Sequence, residues 1–285
     1  MQGALLVQTL ISAGTFLAAK RAMVELDPVT LVLWRFLLSS AVFLAIIALT
    51  PGPFFPPRRA LFKIMLLGVL VGPGNQLLFF RGLQHSVPAH AALLYSLTPL
   101  GVYLVSILKK TERANRRATV GILLAFLGVV VLLLGRGASA LGGAFFGDLI
   151  ILGAVLAWVL YTTEGKAFIA EHGPVRMTAW TMVAGTVWLL PAVPAHAQLG
   201  VMLDAAPVLW TCVLYLALLT SVASYLIWCW ALSRAPASHV AVFSNLQPVF
   251  TALAAWAILH EPLHWEIGVG GALVLTGVRL TQRAR

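Results

Sequence analysis

The chain has 285 residues, of which 60% are hydrophobic and 10% charged, and its mean hydropathy is +0.95. This composition excludes an ordinary soluble domain and is typical of a protein that crosses a lipid bilayer several times. A net charge of +10 would suggest nucleic-acid binding in a soluble protein, but here Lys and Arg lie in short breaks between apolar runs, so no nucleic-acid partner is expected.

Ten apolar runs of membrane-spanning length follow one another along the chain. A spanning helix needs about 20 mostly apolar residues. The first run has no basic segment before it, so we expect a retained helix rather than a cleaved signal peptide. The sequence therefore predicts an all-α polytopic membrane protein. Spans 1 to 10 are predicted at residues 3–21, 29–50, 60–82, 87–110, 116–135, 145–169, 175–194, 207–231, 236–259 and 263–281.

The basic residues indicate which side of the membrane each break faces. If both termini are cytoplasmic, 14 of the 19 Lys and Arg residues lie on the cytoplasmic side, 4 lie outside and Arg35 lies within span 2. Lys20 and Arg21, which follow span 1, are among the four exceptions. Because positively charged loops stay in the cytoplasm, the whole-chain count predicts a multi-pass protein of the inner membrane with both termini cytoplasmic.

The second half of the chain repeats the first. A shift of 149 positions, as from His90 to His239, also superimposes other residues that are uncommon in apolar helices. The predicted repeats are residues 1–136 and 145–285, with five spans each. An odd number of spans reverses orientation, so we expect inverted repeats, the arrangement of many secondary transporters. Further matching pairs are Pro99 with Pro248, Glu112 with Glu261, Gly121 with Gly270, and Gly128 with Gly277.

Several segments of the chain resemble one known family. GTFLAAKRAM and DPVTLVLWRF near the N-terminus, AALLYSLTPL before LKKTER, and VAVFSNLQPVF before ILHEPL are similar to the two EamA-type domains of the drug/metabolite transporter superfamily. Glu112 and Glu261 fit the glutamate that follows the SLTP-type phrase at a helix end. The resemblance implies a ten-helix basket with a central cavity, which exports small metabolites by alternating access. It leaves the substrate open.

Pro99 and Pro248 lie near the middle of spans 4 and 9. A proline inside a helix removes one backbone hydrogen bond, and in lipid the freed carbonyl must be met by protein or water. We therefore expect both kinks to face the interior. Each is either a static packing kink or a hinge for alternating access.

Neutral polar residues inside the spans are the candidates for a substrate site. Asn75 and Gln76 follow a Gly-Pro-Gly break, where a local opening of span 3 would line a site, although they could equally join helices. A serine hydroxyl often donates to a backbone carbonyl of its own helix and then needs no other partner. The Asn245 side-chain amide has more hydrogen-bonding groups than one backbone carbonyl can satisfy, so it is a candidate for the cavity lining. We expect spans 1, 3, 4, 6, 8 and 9 to line the cavity. The remaining neutral candidates are Tyr95, Ser96, Tyr225 and Ser244.

An aromatic pair and one charge complete the interior set. Trp158 and Tyr161 share one face of span 6 and either pack in the core or stack on an aromatic or cationic substrate. Arg35 lies well inside span 2, where a charge is a functional candidate by default. It either pairs with Glu25 or Asp27 at the outer end of the span, or it binds a substrate carboxylate or forms a gate.

Three further titratable residues are candidates for coupling or gating. His90 and His239 titrate nearest to physiological pH, but each lies within a turn of its helix start, where an interfacial histidine is the simpler interpretation. Glu164 lies near the inner end of span 6, where it could pair with Lys166 or meet solvent. Since no Asp or Glu inside the spans offers a clear proton relay, a facilitator or exchanger is favoured over a proton-coupled pump.

No catalytic residue, metal site or cofactor is predicted, because the chain contains no P-loop, HExxH or GxSxG pattern. The sequence predicts a monomeric secondary transporter in the lipid bilayer that exports a small-molecule substrate, with amino acids or related amphipathic compounds as the first choice. Export of drugs, toxic cations or nucleosides is the alternative. A membrane-embedded enzyme is the alternative of another class.

Overall fold

The computed structural model describes residues 1–86, 91, 94–134, 145–192, 199–203, 205–250, 253 and 265–283. All regular secondary structure in these ranges is helical, which confirms the all-α prediction at that level. Short 3-10 helices lie at Leu190–Ala192 and Val242–Leu246, and a short α-helix lies at Leu199–Leu203. The main helices are α1 (Gln2–Ala22), α2 (Pro28–Leu49), α3 (Arg58–Gln84), α4 (Thr98–Leu108), α5 (Arg116–Leu134), α6 (Phe145–His172), α7 (Pro174–Leu189), α8 (Pro207–Leu232), α9 (Ala237–Ala241) and α10 (Trp265–Gln282).

Within the described residues, α2, α3, α6 and α8 are each long and apolar enough to cross a membrane. Large apolar side chains remain exposed on these helices, among them Leu44, Leu66, Leu156 and Leu218. In water such surfaces would promote association, whereas in a bilayer the lipid chains cover them. These features are those of a multi-pass membrane protein.

The sequence around Asp27 fixes where α2 begins. The Asp27 carboxylate accepts hydrogen bonds from the backbone N–H groups of Val29 and Thr30, at 3.2 and 3.3 Å, and Pro28 occupies the first turn. Both residue types are favoured at a helix start, because the first N–H groups have no partner within the helix. About two turns later, this register directs Arg35 into the interior, where it is 1% exposed.

Both α3 and α8 contain a π-helical segment, at Gly72–Leu77 and Tyr215–Ser224 respectively. In α3, Pro73 has no N–H to donate, and Gly72 lies so close to α7 that an added Cβ would stand 3.0 Å from the Cα of Gly185. The interruption predicted at Gly-Pro-Gly is therefore a widening of the helix rather than an unwinding. Such segments are rare in α-helices and are found frequently at functional sites.

The structure differs from the prediction at the two central prolines. Spans 4 and 9 are predicted as continuous kinked helices, but the chain turns at Ser96 and Leu97, so that Pro99 lies in the first turn of α4. Likewise, α9 passes into the 3-10 helix Val242–Leu246, and Pro248 lies at the start of the next helical stretch. Proline fits a first turn because its missing N–H would have no partner there, so breaking the helix avoids the clash of a proline in mid-helix.

Glycines bring α5 and α10 into close contact. A Cβ added to Gly121 would stand 2.7 Å from the carbonyl oxygen of Gly277, and one added to Gly128 would stand 2.6 Å from that of Gly270. Small residues permit this close approach between helices in membranes. Because the earlier glycine of α5 meets the later glycine of α10, the two helices run antiparallel.

Charged groups gather at the two ends of the bundle. At the end where α1 finishes and α2 begins, Arg21 pairs with Glu25 at 2.6 Å and Arg81 pairs with Asp27 at 3.4 Å. Within the described residues, Arg35 is the one charged side chain in the fully buried set. The interior charge of this part of the chain is therefore positive.

The contacts at the opposite end join α4, α6 and the link between α8 and α9. Lys109 forms an ion pair with Glu164, and Lys166 donates to the carbonyl of Leu232, the last residue of α8, and to that of Ala235 in the link. Glu112 accepts hydrogen bonds from the backbone N–H of Ser238, at 3.1 Å, and from its hydroxyl. A carboxylate at this position satisfies an N–H group that the start of α9 leaves without a helical partner.

Candidate functional site: an interior cavity

Side chains from several helices surround a cavity of about 90 Å³ within the bundle. They come from α1, α3, α6 and α8, from the residues just before α4, and from the stretch after α9, which correspond to the six spans expected to line a cavity; α2 contributes as well. The sequence-predicted residues in this lining are Arg35, Asn75, Gln76, Tyr95, Trp158, Tyr225 and Ser244.

Arg35 lies at the centre of a polar network beside the cavity. Its Nε donates to the Ser221 hydroxyl and its Nη1 donates to Gln76 Oε1, each at 2.5 Å. Ser221 in turn donates to the Leu216 carbonyl, at 3.1 Å, within the π-segment of α8. Both partners of the guanidinium are neutral, and they lie on the π-segments of α3 and α8.

The two amides of α3 extend this network to two tyrosines. Gln76 Nε2 donates to the Tyr225 hydroxyl at 3.2 Å, and Asn75 Nδ2 donates to the Tyr95 hydroxyl at 2.8 Å and to the Ala154 carbonyl at 2.9 Å. Gln76 also donates to Asn75. Asn75 and Gln76 therefore line the cavity and join helices at the same time.

A second polar wall comes from α1 and α8, and the sequence analysis does not single it out. Gln8 Nε2 donates to the hydroxyls of Ser12 and Ser224, each at 3.0 Å, and the hydroxyls of Thr15 and Thr220 lie 2.9 Å apart. Gln8, Ser12 and Thr15 recur at intervals of four and three residues, so they share one face of α1. That periodicity is the signal that could have identified them.

Aromatic rings form the apolar part of the lining. The ring centroid of Trp158 lies 5.3 Å from that of Tyr225 and 5.4 Å from that of Trp228. Phe79 and Tyr95 form a further pair at 5.2 Å, with their rings almost perpendicular. These faces offer a surface for an apolar or aromatic group beside the polar network.

Tyr161 lies outside the cavity lining. It is 1% exposed, and its hydroxyl lies 3.3 Å from Thr181 Oγ1. Its ring stacks on Trp158, with centroids 5.4 Å apart. Trp158 thus faces the cavity while Tyr161 supports it from the core.

The residues around the two prolines also divide into some that line the cavity and others that are buried outside it. Ser96 and Asn245 are buried outside the lining, whereas Ser244 and Gln247, on either side of Asn245, line the cavity. The Asn245 amide forms no hydrogen bond to the described part of the chain.

Arg35 and Glu164 have different partners from those considered in the sequence analysis. Arg35 binds Ser221 and Gln76, while the two acids before the start of α2, Glu25 and Asp27, pair with Arg21 and Arg81. Glu164 pairs with Lys109, at the end of the bundle and away from the cavity lining.

Of the two histidine candidates, His239 lies within the described residues, near the start of α9. His239 is partly buried in α9, and its backbone carbonyl accepts a hydrogen bond from Gln282 at 2.6 Å. His239 is not part of the cavity lining. His90 lies outside the described residues.

Two buried polar atoms on cavity-lining residues have no hydrogen-bond partner in the described part of the chain, namely Gln8 Oε1 and Trp228 Nε1. Buried donors and acceptors are normally paired with protein or water. The described residues contain no group of His, Cys, Asp and Glu that could hold a metal ion. A cation, unpaired polar atoms and aromatic faces equip this cavity to bind a small polar molecule.

A family model described as the EamA-like transporter family matches residues 3–134 and again residues 145–282. The chain belongs to the EamA-like transporter family. It is therefore a membrane-embedded transporter of small molecules.

Similar proteins of comparable length occur in bacteria and archaea. An uncharacterized transporter of Archaeoglobus fulgidus is 31% identical, with 95% of this chain and 93% of the relative covered. The uncharacterized transporter YyaM of Bacillus subtilis is 30% identical, with 95% and 89% covered. A probable terminal-alkyne amino-acid exporter of Streptantibioticus cattleyicolor is 29% identical, with 86% of this chain and 80% of that protein covered.

A solved crystal structure has the same fold. It superposes with a TM-score of 0.79 at 22% sequence identity, covering 100% of this chain and 99% of the other. At that identity the similarity concerns the fold alone.

Proposed function

We propose that this EamA-like transporter is a monomeric secondary exporter of small amphipathic metabolites, amino acids or related compounds, in the inner membrane. It would work by alternating access between two inverted five-helix repeats. The observation that carries the proposal is the interior cavity, which combines a buried cation, neutral polar groups and aromatic faces. A hydrophilic site inside an apolar bundle costs free energy, so it is expected where a polar substrate crosses.

Contacts between α5 and α10 support the inverted repeat. The predicted correspondence pairs Gly121 with Gly270 and Gly128 with Gly277. Gly121 contacts Gly277. If each residue of this pair is replaced by its counterpart in the other repeat, the result is a contact of Gly270 with Gly128, and that contact is also present. An interface that maps onto itself in this way is the mark of two-fold symmetry.

The contact between Gln76 and Tyr225 supports the same arrangement. These residues correspond in the two predicted repeats, and they touch each other beside the cavity. Only residues close to a two-fold axis can contact their own counterparts, so this contact is expected where an inverted-repeat axis crosses the bundle.

Amino acids are the preferred substrate class for two reasons. A relative 29% identical to this chain is named a probable terminal-alkyne amino-acid exporter. The cavity also presents groups suited to each part of an amino acid, since a cation and hydroxyl groups lie beside aromatic faces.

Export of aromatic cations or nucleosides is the second candidate function. The cluster of Trp158, Tyr225 and Trp228 favours it, because aromatic faces attract cations and stack on planar rings. The buried positive charge of Arg35 opposes the cationic version of this alternative.

Transport by the purified full chain in liposomes tests the proposal. Vesicles loaded with amino acids, nucleosides or organic cations are diluted into substrate-free buffer, and the loss of each compound is compared with that from protein-free vesicles. We expect at least one amino acid to leave faster from the vesicles that contain protein. If no compound of the panel does so, the proposed function is wrong.

A further inference from the structure

We propose that Arg35 is the carboxylate-binding residue of the substrate site, so that the transported compounds are carboxylates with an apolar or aromatic side chain. This inference rests on the proposed function, because it assigns a substrate class to the same cavity. It goes beyond that function by naming the recognised group and the residue that recognises it.

The first argument concerns the charge of Arg35. The side chain is 1% exposed, lines the cavity and forms no ion pair within the described part of the chain. An arginine side chain stays protonated in proteins, and a buried charge without a counter-charge is costly. A substrate carboxylate would supply the missing negative charge.

The second argument concerns the remaining hydrogen-bond donors of the guanidinium. Nε is engaged by Ser221, and one N–H of Nη1 is engaged by Gln76. A guanidinium carries five N–H groups, and the terminal nitrogens form the fork that a carboxylate accepts in a bidentate manner. Ser221 and Gln76 thus fix the orientation of Arg35 from the π-segments of α8 and α3, while Nη2 has no hydrogen-bond partner among the described residues.

The surrounding groups suit the rest of such a molecule. Gln8 Oε1 is a buried acceptor without a partner in the described residues, so it can accept a hydrogen bond from an amino group. Trp158 and Trp228 provide apolar faces on the same cavity. A compound that carries a carboxylate, an amino group and an apolar side chain would satisfy all three features.

A cationic substrate is disfavoured by the same geometry. Its charge would enter a cavity that already contains the guanidinium, and the described residues of the lining include no Asp or Glu to offset the repulsion. The aromatic faces alone would not distinguish a cation from an uncharged ring.

Matched ligand series on the unmodified protein test the inference without any mutation. Binding to the purified full chain is measured by titration calorimetry for phenylalanine, leucine and tryptophan, for their α-amides, and for the amines that lack the carboxylate. We expect at least one amino acid to bind, and its amide and amine to bind about 10- to 100-fold more weakly, because hydrogen bonds to charged groups are worth that much. An amide or amine that binds within about threefold of its amino acid would overturn the inference.

Variants of the protein provide the second arm of the experiment. Arg35→Gln should abolish the preference for the amino acid over its amide, and Arg35→Lys, which keeps the charge but not the fork, should restore part of it. Arg21→Gln is the control, because it removes an exposed charge that pairs with Glu25 and is not part of the lining. A preference that survives in a folded Arg35→Gln protein would also overturn the inference.

The liposome experiment separates this inference from the proposed function. If vesicles export compounds without a carboxylate as fast as the amino acids, the transport function is supported and the carboxylate-binding role of Arg35 is wrong. If nothing in the panel is exported or bound, the proposed function itself falls.

Discussion

Single hydroxyl groups in the interior of this transporter behave in two different ways. Thr9, Ser39 and Thr178 each donate to a carbonyl four residues earlier on their own helix. Ser221 and Thr220, by contrast, also contact side chains of other helices and lie beside the cavity, although Ser221 still donates to its own helix. The first pattern satisfies a buried donor locally, while the second builds a polar wall between helices.

Two buried tyrosines allow a cavity-wall hydroxyl to be compared with a core hydroxyl, because a change to phenylalanine removes only the hydroxyl group. Tyr225 lines the cavity and its hydroxyl accepts from Gln76, whereas the Tyr161 hydroxyl contacts Thr181 in the core. We expect Tyr225→Phe to raise the KM for transport about fivefold, because the substrate would lose one neutral hydrogen bond to the Tyr225 hydroxyl. Uptake kinetics in liposomes would measure it.

Tyr161→Phe is the matched control for that measurement. It removes the same hydroxyl from a residue outside the lining, so KM should stay unchanged even if the melting temperature falls slightly. Equal effects of the two variants on KM would contradict the assignment of Tyr225 to the cavity wall.

The sequence identifies residue types at the site better than it identifies their partners. Arg35, Asn75 and Gln76 stand out because polar groups are rare inside spans. The pairing of Arg35 with Ser221 could not be predicted, since these residues are 186 positions apart and meet only through packing of α2 on α8. Ser12 and Thr15 escape notice for another reason, because the same residue types commonly bond to their own helix.

At the level of helices, interruptions position the site. The π-segments of α3 and α8 carry Asn75, Gln76 and Ser221, and the breaks before α4 and after α9 bring Tyr95 and Ser244 to the cavity. The Gly-Pro-Gly and central proline motifs predict where the interruptions in α3, before α4 and after α9 occur, whereas the π-segment of α8 contains no glycine or proline that would predict it. They do not predict their form, since a proline is compatible with a kink, a widened turn or a new helix start, and contacts with neighbouring helices decide among them.

The prolines at the two breaks should matter for transport. Pro99→Ala and Pro248→Ala restore backbone N–H groups and allow each helix to continue through its break. We expect both variants to slow the initial rate of uptake more than they lower expression. Rates are measured in liposomes at equal protein content.

Pro174→Ala is the control for the two proline variants. Pro174 also lies in a first turn, that of α7, but it follows a loop and not an interruption within a span. It should leave the rate near that of the unmodified protein. Normal rates for Pro99→Ala and Pro248→Ala would leave these prolines with a packing role only.

The contact of α5 with α10 gives a prediction about stability. An added Cβ at Gly128 would meet backbone atoms of α10 at 2.6 and 2.8 Å, and one at Gly277 would meet backbone atoms of α5 at 2.5 Å. We expect Gly128→Ala and Gly277→Ala each to destabilise the protein by about 1–3 kcal/mol, because the helices must move apart. Thermal unfolding in detergent would measure the loss.

Gly268→Ala, in the same helix α10, is the control for this prediction. Nothing lies within 4 Å of a Cβ added there. Alanine is the better helix former, so this variant should be as stable as the unmodified protein or slightly more stable. A loss as large as that of Gly128→Ala would mean that close packing is not the cause.

For the whole molecule, the distribution of charge predicts the orientation in the membrane. Contacts of Lys109, Glu112 and Lys166 lie at one end of the bundle, together with the contact of Arg176 with the carbonyl of Pro53. The proposed orientation puts this end in the cytoplasm, in keeping with the positive-inside rule.

Labelling of single introduced cysteines in intact cells would test this orientation. Asn115→Cys should react with a membrane-impermeant thiol reagent only after the cells are opened, and Ala138→Cys should react from outside. Because Cys212 and Cys229 are free, both are first replaced by serine. The reverse pattern would contradict the proposed orientation.

Under the proposed inverted repeat, the contact between Gln76 and Tyr225 also bears on the ancestry of the chain. In a dimer of identical half-length proteins, the residue at this place on the axis would face its own copy, so glutamine would meet glutamine or tyrosine would meet tyrosine. Fusion of two such halves into one gene removes that constraint and allows each copy to diverge. The donor–acceptor pair of unlike residues here is a combination that a dimer of identical halves could not form.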